Sequence, residues 1–276
     1  MLAAPALSIL FLLLGALGLL DEGLAVRPAL WTGVAQLVPG MDDGRSWGKV
    51  AARLAPRFRV VRLHRRQYRL DIVTGSPCTI DQEVDDVLAV AKVIGEPMLV
   101  VGHSSGGVVA LEAMVASPST FPGAVIYEPP VVIGPPLGGE ALQRAMAAMA
   151  AGKAGKAITI FMRDIVGIPP LVARLAGMFV AIQPRWRKFV PRQLDDVEAI
   201  DQLGVRLDAY ARIEVPNVLL GGDHSPARLG KRLDALARAL PRAEKVVLRG
   251  QGHGANQRAP GEVARIIETL ADKVLR

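Results

Sequence analysis

The 276-residue chain is 51% hydrophobic and 21% charged, with a mean hydropathy of +0.31, which excludes an intrinsically disordered chain and provides for one sizeable core. Its formal charge of +7 is scattered and aromatics make up only 4%, so the basic stretches at 62–69 and 185–192 read as solvated faces and no nucleic-acid partner is expected. A single cysteine, Cys78, excludes an intrachain disulfide and a cysteine-rich zinc site.

The run Leu2–Leu20 is almost wholly apolar and ends at Asp21 and Glu22. No Lys or Arg precedes it and no small-residue cleavage site follows, which argues against an export signal. It sits near the lower limit of the ~17–25 residues of a membrane span, and Pro5 and glycines interrupt it. Residues 1–33 therefore have two open readings: a membrane-associated segment, or a buried or misassigned start. A cytoplasmic location is expected, with membrane contact through residues 2–20 as the alternative.

From residue 34 onward, short apolar runs alternate with amphipathic segments, the pattern of βα units. Residues 34–38 predict a strand, 46–54 a helix capped by Ser46, and 58–63 a strand followed by an irregular basic stretch. Residues 80–94 place Val84, Val87, Leu88 and Ala91 on one helical face before Gly95. A strand at 98–101, a turn at 102–106 and a small-residue helix at 107–116 follow. Residues 123–127 predict the next strand. The sheet resumes at 217–220, and a helix at 226–239, a strand at 245–248 and a helix at 262–274 complete the chain. Between the halves, residues 131–213 form an insertion rich in Ala, Met, Leu and Arg, in which Pro135-Pro136 and Pro169-Pro170 punctuate short helices. It resembles a cap on a domain spanning residues 34–276.

The turn after the strand at 98–101 is Gly102-His103-Ser104-Ser105-Gly106. A serine hydroxyl needs a base to take its proton and a sharp turn to present it, and G-x-S-x-G between strand and helix supplies the turn. Ser104 is the candidate nucleophile, and the Ser105 N–H, opening the helix, is a candidate oxyanion donor. The second donor is expected from the loop after the first strand, at the Met41 N–H.

His253, in the loop Gly250-Gln251-Gly252-His253-Gly254-Ala255, is the candidate base, ahead of His64, His103 and His224. Asp223, emerging after Val218-Leu219-Leu220 and two glycines, is the candidate acid; Glu128, at the end of the strand at 123–127, competes for that role. The order Ser104, Asp223, His253 is the order of Ser…Asp/Glu…His hydrolases with this turn. Met146, Phe161, Met178 and Trp186 of the insertion are candidates for lining a substrate pocket, against ordinary packing.

With LVPGM at 37–41, GHSSGG at 102–107, YEPP at 127–130, LLGGD at 219–223 and GQGHGA at 250–255, the chain from about Ala35 resembles an α/β-hydrolase of the single-domain esterase and peroxidase-like type. The resemblance implies an α/β fold with a mostly parallel eight-stranded sheet flanked by helices, an acyl-enzyme mechanism on a small-molecule acyl substrate, and neither cofactor nor metal. Relatives carry an Asp-Arg-x-Gly segment where this chain has Leu63-His64-Arg65-Arg66-Gln67-Tyr68, so the loop there is expected to differ. They also open with an antiparallel strand pair, where residues 1–33 look leucine-rich and helical. The expected function is a serine hydrolase of carboxylic esters or related acyl compounds. The alternative is a non-catalytic or slow ligand-binding protein on the same fold. Lyase chemistry and perhydrolysis stay open, as do acyl group and oligomeric state.

Overall fold

A computed structural model describes residues 33–71 and 77–275. The apolar run at 2–20 and the position of the implied antiparallel opening pair lie outside the described residues. Six strands, β1 (Gly33–Leu37), β2 (Arg59–Leu63), β3 (Met98–His103), β4 (Ala124–Tyr127), β5 (Asn217–Gly222) and β6 (Ala243–Leu248), form a wholly parallel sheet in the order β2-β1-β3-β4-β5-β6. Among the described residues the sheet thus has six of the eight strands that the resemblance implies.

The helices of the first half are α1 (Gly48–Leu54), α2 (Ile80–Ile94) and α3 (Ser105–Ala116). The insertion between β4 and β5 holds α4 (Gly139–Ala150), α5 (Ala154–Ile160), α6 (Pro170–Ile182), α7 (Pro184–Leu203) and the single turn α8 (Leu207–Tyr210), with α5 widening into a π-helical stretch at Phe161–Val166. The chain closes with α9 (Ala227–Ala239), the short α10 (Ala255–Arg258) and α11 (Pro260–Val274).

Central strands are apolar on both faces because helices cover both. Along β3, Met98 and Val100 join one core with Val87 of α2, Leu111 of α3 and Leu236 of α9, while Leu99 and Val101 join the other with Val50 of α1 and Ile267 of α11. Local chemistry sets the ends of α2: Thr79 and Gln82 form a reciprocal capping box, and Gly95 stops the helix at φ 69°. The expected Ser46 cap is not formed. Residues Arg45–Trp47 make a 3₁₀ turn and α1 starts at Gly48, because the Asp42 carboxylate accepts the Gly44 and Ser46 N–H groups and the Ser46 hydroxyl.

The insertion leaves and returns at one place. Val132 bridges Val205, Arg206 pairs with Glu112 of α3 at 2.9 Å, and the Asp201 carboxylate accepts the Gly138 N–H at 2.9 Å just before α4. The insertion has its own apolar core, including Leu142, Ala157, Val180 and Leu194.

The register aligns the carboxyl ends of the strands. Leu37 of β1 pairs with Gly102 of β3, His103 with Tyr127 of β4, and Tyr127 with Leu220 of β5. The residues that follow these strands therefore emerge along one edge, at the point where β1 and β3 diverge in connection. In open parallel sheets this is where ligands bind.

Candidate active site

Ser104 sits between β3 and α3 at φ 54° and ψ −129°, a strained conformation for a residue with a side chain. The sheet holds it there: its N–H donates to the Tyr127 carbonyl at 2.8 Å. The flanking glycines are needed by contact. A Cβ on Gly102 would lie 2.6 Å from the Gly107 Cα, and one on Gly106 would lie 2.5 Å from the Val38 carbonyl oxygen. Strand, turn and helix can close on one another only without those side chains.

His253 is brought to the same edge, and its Nδ1 lies 2.7 Å from Glu128 Oε2. The other oxygen of Glu128 accepts the Gly222 N–H at 2.8 Å, and its side chain is 2% exposed. Asp223, the acid expected from the sequence, is not at this position. Its N–H continues the sheet toward Leu248, its side chain is exposed, and Glu128 occupies the contact with His253. The glycines before Asp223 explain the difference: Gly222 serves Glu128 through its N–H and abuts the Gln251 carbonyl, where a Cβ would come within 2.3 Å. The strained φ of 45° at Glu128 marks the turn that directs its carboxylate back to the histidine.

The loop carrying His253 is held from below. The Tyr127 hydroxyl donates to the Gly252 carbonyl and accepts the Ala255 N–H at 3.1 Å, fixing the chain on both sides of the histidine. The Tyr127 ring stacks on His103 with centroids 4.3 Å apart, and His103 lies 4.6 Å from the His253 ring. The indole N–H of Trp47 donates to His103 Nδ1 at 3.3 Å. Burial, and next the proximity of His253, hold the His103 imidazole well below its ordinary pKa, so it is a neutral packing partner at neutral pH. His224 is exposed, and His64 is also held below its ordinary value by burial.

A second polar cluster went unread in the sequence. Arg65, after β2, is buried and pairs with Glu83 of α2 and, at 2.8 Å, with Asp196 of α7. Its remaining nitrogen donates to the Ser105 hydroxyl at 2.5 Å. The Tyr68 hydroxyl adds a bond to Asp196 at 2.7 Å. Burial pushes the Glu83 carboxyl up while the Arg65 charge opposes it. The cluster ties the residue after Ser104 to both the sheet domain and the insertion. Its only sequence signal was the position of Arg65 beyond a strand at the site edge.

A cavity of about 590 Å³ lies between this edge and the insertion. Met41, Ser104, Ser105 and His253 line it from the sheet side; Met41 is half-buried at φ 57°. Of the four insertion residues expected in the pocket, Phe161 and Trp186 line it. Met146 instead packs against the insertion's own core, and Met178 points to solvent on the outer face of α6. Phe179, one position further round the helix, takes the lining place. Cys78 is buried, and among the described residues no group of three or more His, Cys, Asp or Glu side chains is placed to hold a metal ion.

The family model described as "Alpha/beta hydrolase family" matches residues 37–266, spanning every site residue named above. The chain belongs to the alpha/beta hydrolase family. Solved structures agree. An alpha/beta hydrolase from Sphaerobacter thermophilus DSM 20745 is 26% identical at a TM-score of 0.74, covering 87% of this chain and 92% of its own. The enol-lactonase from Burkholderia xenovorans LB400 is 20% identical at 0.69, covering 90% and 94%, and a bacterial membrane phospholipase A is 18% identical at 0.71, covering 99% and 92%. No curated protein matches the chain in sequence. Within this alpha/beta hydrolase, the carboxylate in contact with His253 follows β4 and not β5.

Proposed function

We propose that this alpha/beta hydrolase is a serine hydrolase of carboxylic esters or related acyl compounds, with Ser104 as nucleophile, His253 as general base and Glu128 as the acid that orients the base. The contact between His253 and Glu128, 2.7 Å long and beside the strained Ser104 turn, carries the reading.

The Glu128 carboxylate accepts a hydrogen bond from the Nδ1–H, which fixes the tautomer and leaves Nε2 of His253 unprotonated to take the Ser104 proton as Oγ attacks the acyl carbon. The imidazolium so formed is stabilised by the Glu128 carboxylate. The oxyanion rests on the Met41 and Ser105 N–H groups, each contributing about 3 kcal/mol to lowering the barrier. His253 then returns its proton to the departing alcohol, and water, activated by the same histidine, releases the acid from Ser104. Arg65, bonded to the Ser105 hydroxyl, fixes the peptide that carries one oxyanion donor.

The insertion acts as a cap whose apolar side chains, among them Ile158, Phe161, Ile165 and Val180, receive the acyl portion. Chemistry of this class is carried by structural neighbours: an enol-lactonase, an N-acyl homoserine lactone degrading enzyme and a membrane phospholipase A. An acyl ester or lactone with an apolar acyl chain is the substrate class that the cavity suits.

A fluorophosphonate probe tests the reading. Covalent labelling of the wild type that maps to Ser104 and is lost in Ser104→Ala and His253→Ala is the expected result. A folded wild type that takes no label would overturn it in favour of a ligand-binding protein on this fold.

A further inference from the structure

Helix α6 has its small residues inside and its large ones outside. Ala173, Gly177 and Val180 face the insertion, and the approach is close: a Cβ on Gly177 would lie 2.5 Å from the Gly155 carbonyl oxygen of α5. Leu171, Leu175, Met178 and Ile182 recur at the spacing of one helical stripe and are 69, 56, 59 and 75% exposed. Val172 and Phe179 widen that stripe. A surface helix in water normally turns such a stripe inward. A contiguous exposed stripe of this kind marks an interaction surface.

Charge says what covers it. Residues 165–194 carry Arg174, Arg185, Arg187, Lys188 and Arg192 and no Asp or Glu. Arg174, Arg187 and Lys188 are exposed beside the stripe. An apolar face rimmed by cations fits a surface that is apolar within and anionic at its boundary; two copies of this face would set the same cations against each other. Phe179 and Trp186 belong both to the exposed face and to the lining of the cavity, so the patch is continuous with the space holding Ser104 and His253.

We propose that α6 and the start of α7 dock on an anionic lipid bilayer, with α6 lying in the plane of the interface. The helix has 13 residues, about 20 Å at the α-helical rise, too short to span the hydrocarbon core. No helix among the described residues is long and apolar enough to cross a membrane. A short apolar helix flanked by Arg and Lys is the form of an interfacial element. Docked in this way, the cavity faces the acyl layer, and an acyl lipid can enter without crossing water. That consequence rests on the proposed role of Ser104; the docking does not.

The test uses the full chain with Cys78→Ser and Met178→Cys, labelled at residue 178 with the environment-sensitive fluorophore NBD, in a Ser104→Ala background so that docking is read without turnover. Vesicles of phosphatidylcholine alone are compared with vesicles containing phosphatidylglycerol. The expected result is a blue shift with the mixed vesicles, quenched by a nitroxide placed within the bilayer. Apparent affinity falls on the order of a hundredfold when Arg174→Glu, Arg187→Glu and Lys188→Glu are combined. A probe that stays in water on vesicle-bound protein would overturn the proposal, as would no binding to either vesicle. A blue shift that grows with protein concentration without lipid would overturn it in favour of a second copy on this face.

Discussion

Glu128 reaches His253 from the end of β4, with Oε2 lying 2.7 Å from Nδ1 while Oε1 takes the Gly222 N–H at 2.8 Å. The carboxylate is thereby fixed by the neighbouring strand as well as by its own. The same strand end supplies Tyr127, whose hydroxyl holds the loop on both sides of the histidine. One short strand thus positions the Glu128 carboxylate and the His253 loop together.

Removal of the Tyr127 hydroxyl is expected to loosen His253 without touching the reacting atoms. Tyr127→Phe leaves the Gly252 carbonyl and the Ala255 N–H without their partner and keeps the ring stacked on His103. The loss of stability is about 1–3 kcal/mol, read by urea denaturation. Ester turnover falls through kcat, with KM little changed.

Either glycine flanking the Ser104 turn is expected to be intolerant of a methyl group. Gly102→Ala and Gly106→Ala drive a Cβ to within 2.6 and 2.5 Å of backbone atoms that cannot move aside independently. A cost of about 1–3 kcal/mol is expected from overpacking of this kind, measured as a lowered denaturation midpoint.

Arg65→Met is expected to be severe, because Glu83 and Asp196 would be left buried without their cation. Breaking such a cluster on one side costs about 3–5 kcal/mol. Adding Glu83→Gln and Asp196→Asn should recover much of the stability, since neutral partners no longer need the guanidinium. Thermal denaturation of the single and triple variants gives the comparison.

Burial holds the His103 imidazole well below its ordinary pKa in the fold, and that of His64 below it. The unfolded chain takes up those protons below about pH 6.5, the ordinary histidine value, so it binds more protons than the native state there. Stability is therefore fully present above that pH and declines as the pH falls below it. His103→Phe is expected to flatten this decline, seen in denaturation midpoints measured from pH 7.5 down to 5.

The parallel sheet and the sharp turn at Ser104 were legible because their signals are local. The apolar run at β3, the two flanking glycines and the small-residue helix after them specify Ser104 within a few residues, and α2 begins and ends where its capping residues place it. The carboxylate that contacts His253 was not legible, since β4 and β5 are each followed directly by one, Glu128 and Asp223. What decides between them is a backbone N–H at Gly222 and the turn at Glu128, features of three-dimensional register. Arg65 was hidden for the same reason: its partners lie 18 and 131 residues away in the chain. Met178 was assigned to the pocket from composition, but α6 packs through its small residues and turns that methionine outward.

The most direct test of the account is kcat for p-nitrophenyl ester hydrolysis in Glu128→Gln and Asp223→Asn, each verified as folded by circular dichroism. A fall of about 10³–10⁴-fold is expected in Glu128→Gln, by analogy with loss of the orienting carboxylate in a Ser-His-Asp triad, with Asp223→Asn close to wild type. A large loss in Asp223→Asn with Glu128→Gln fully active would contradict it.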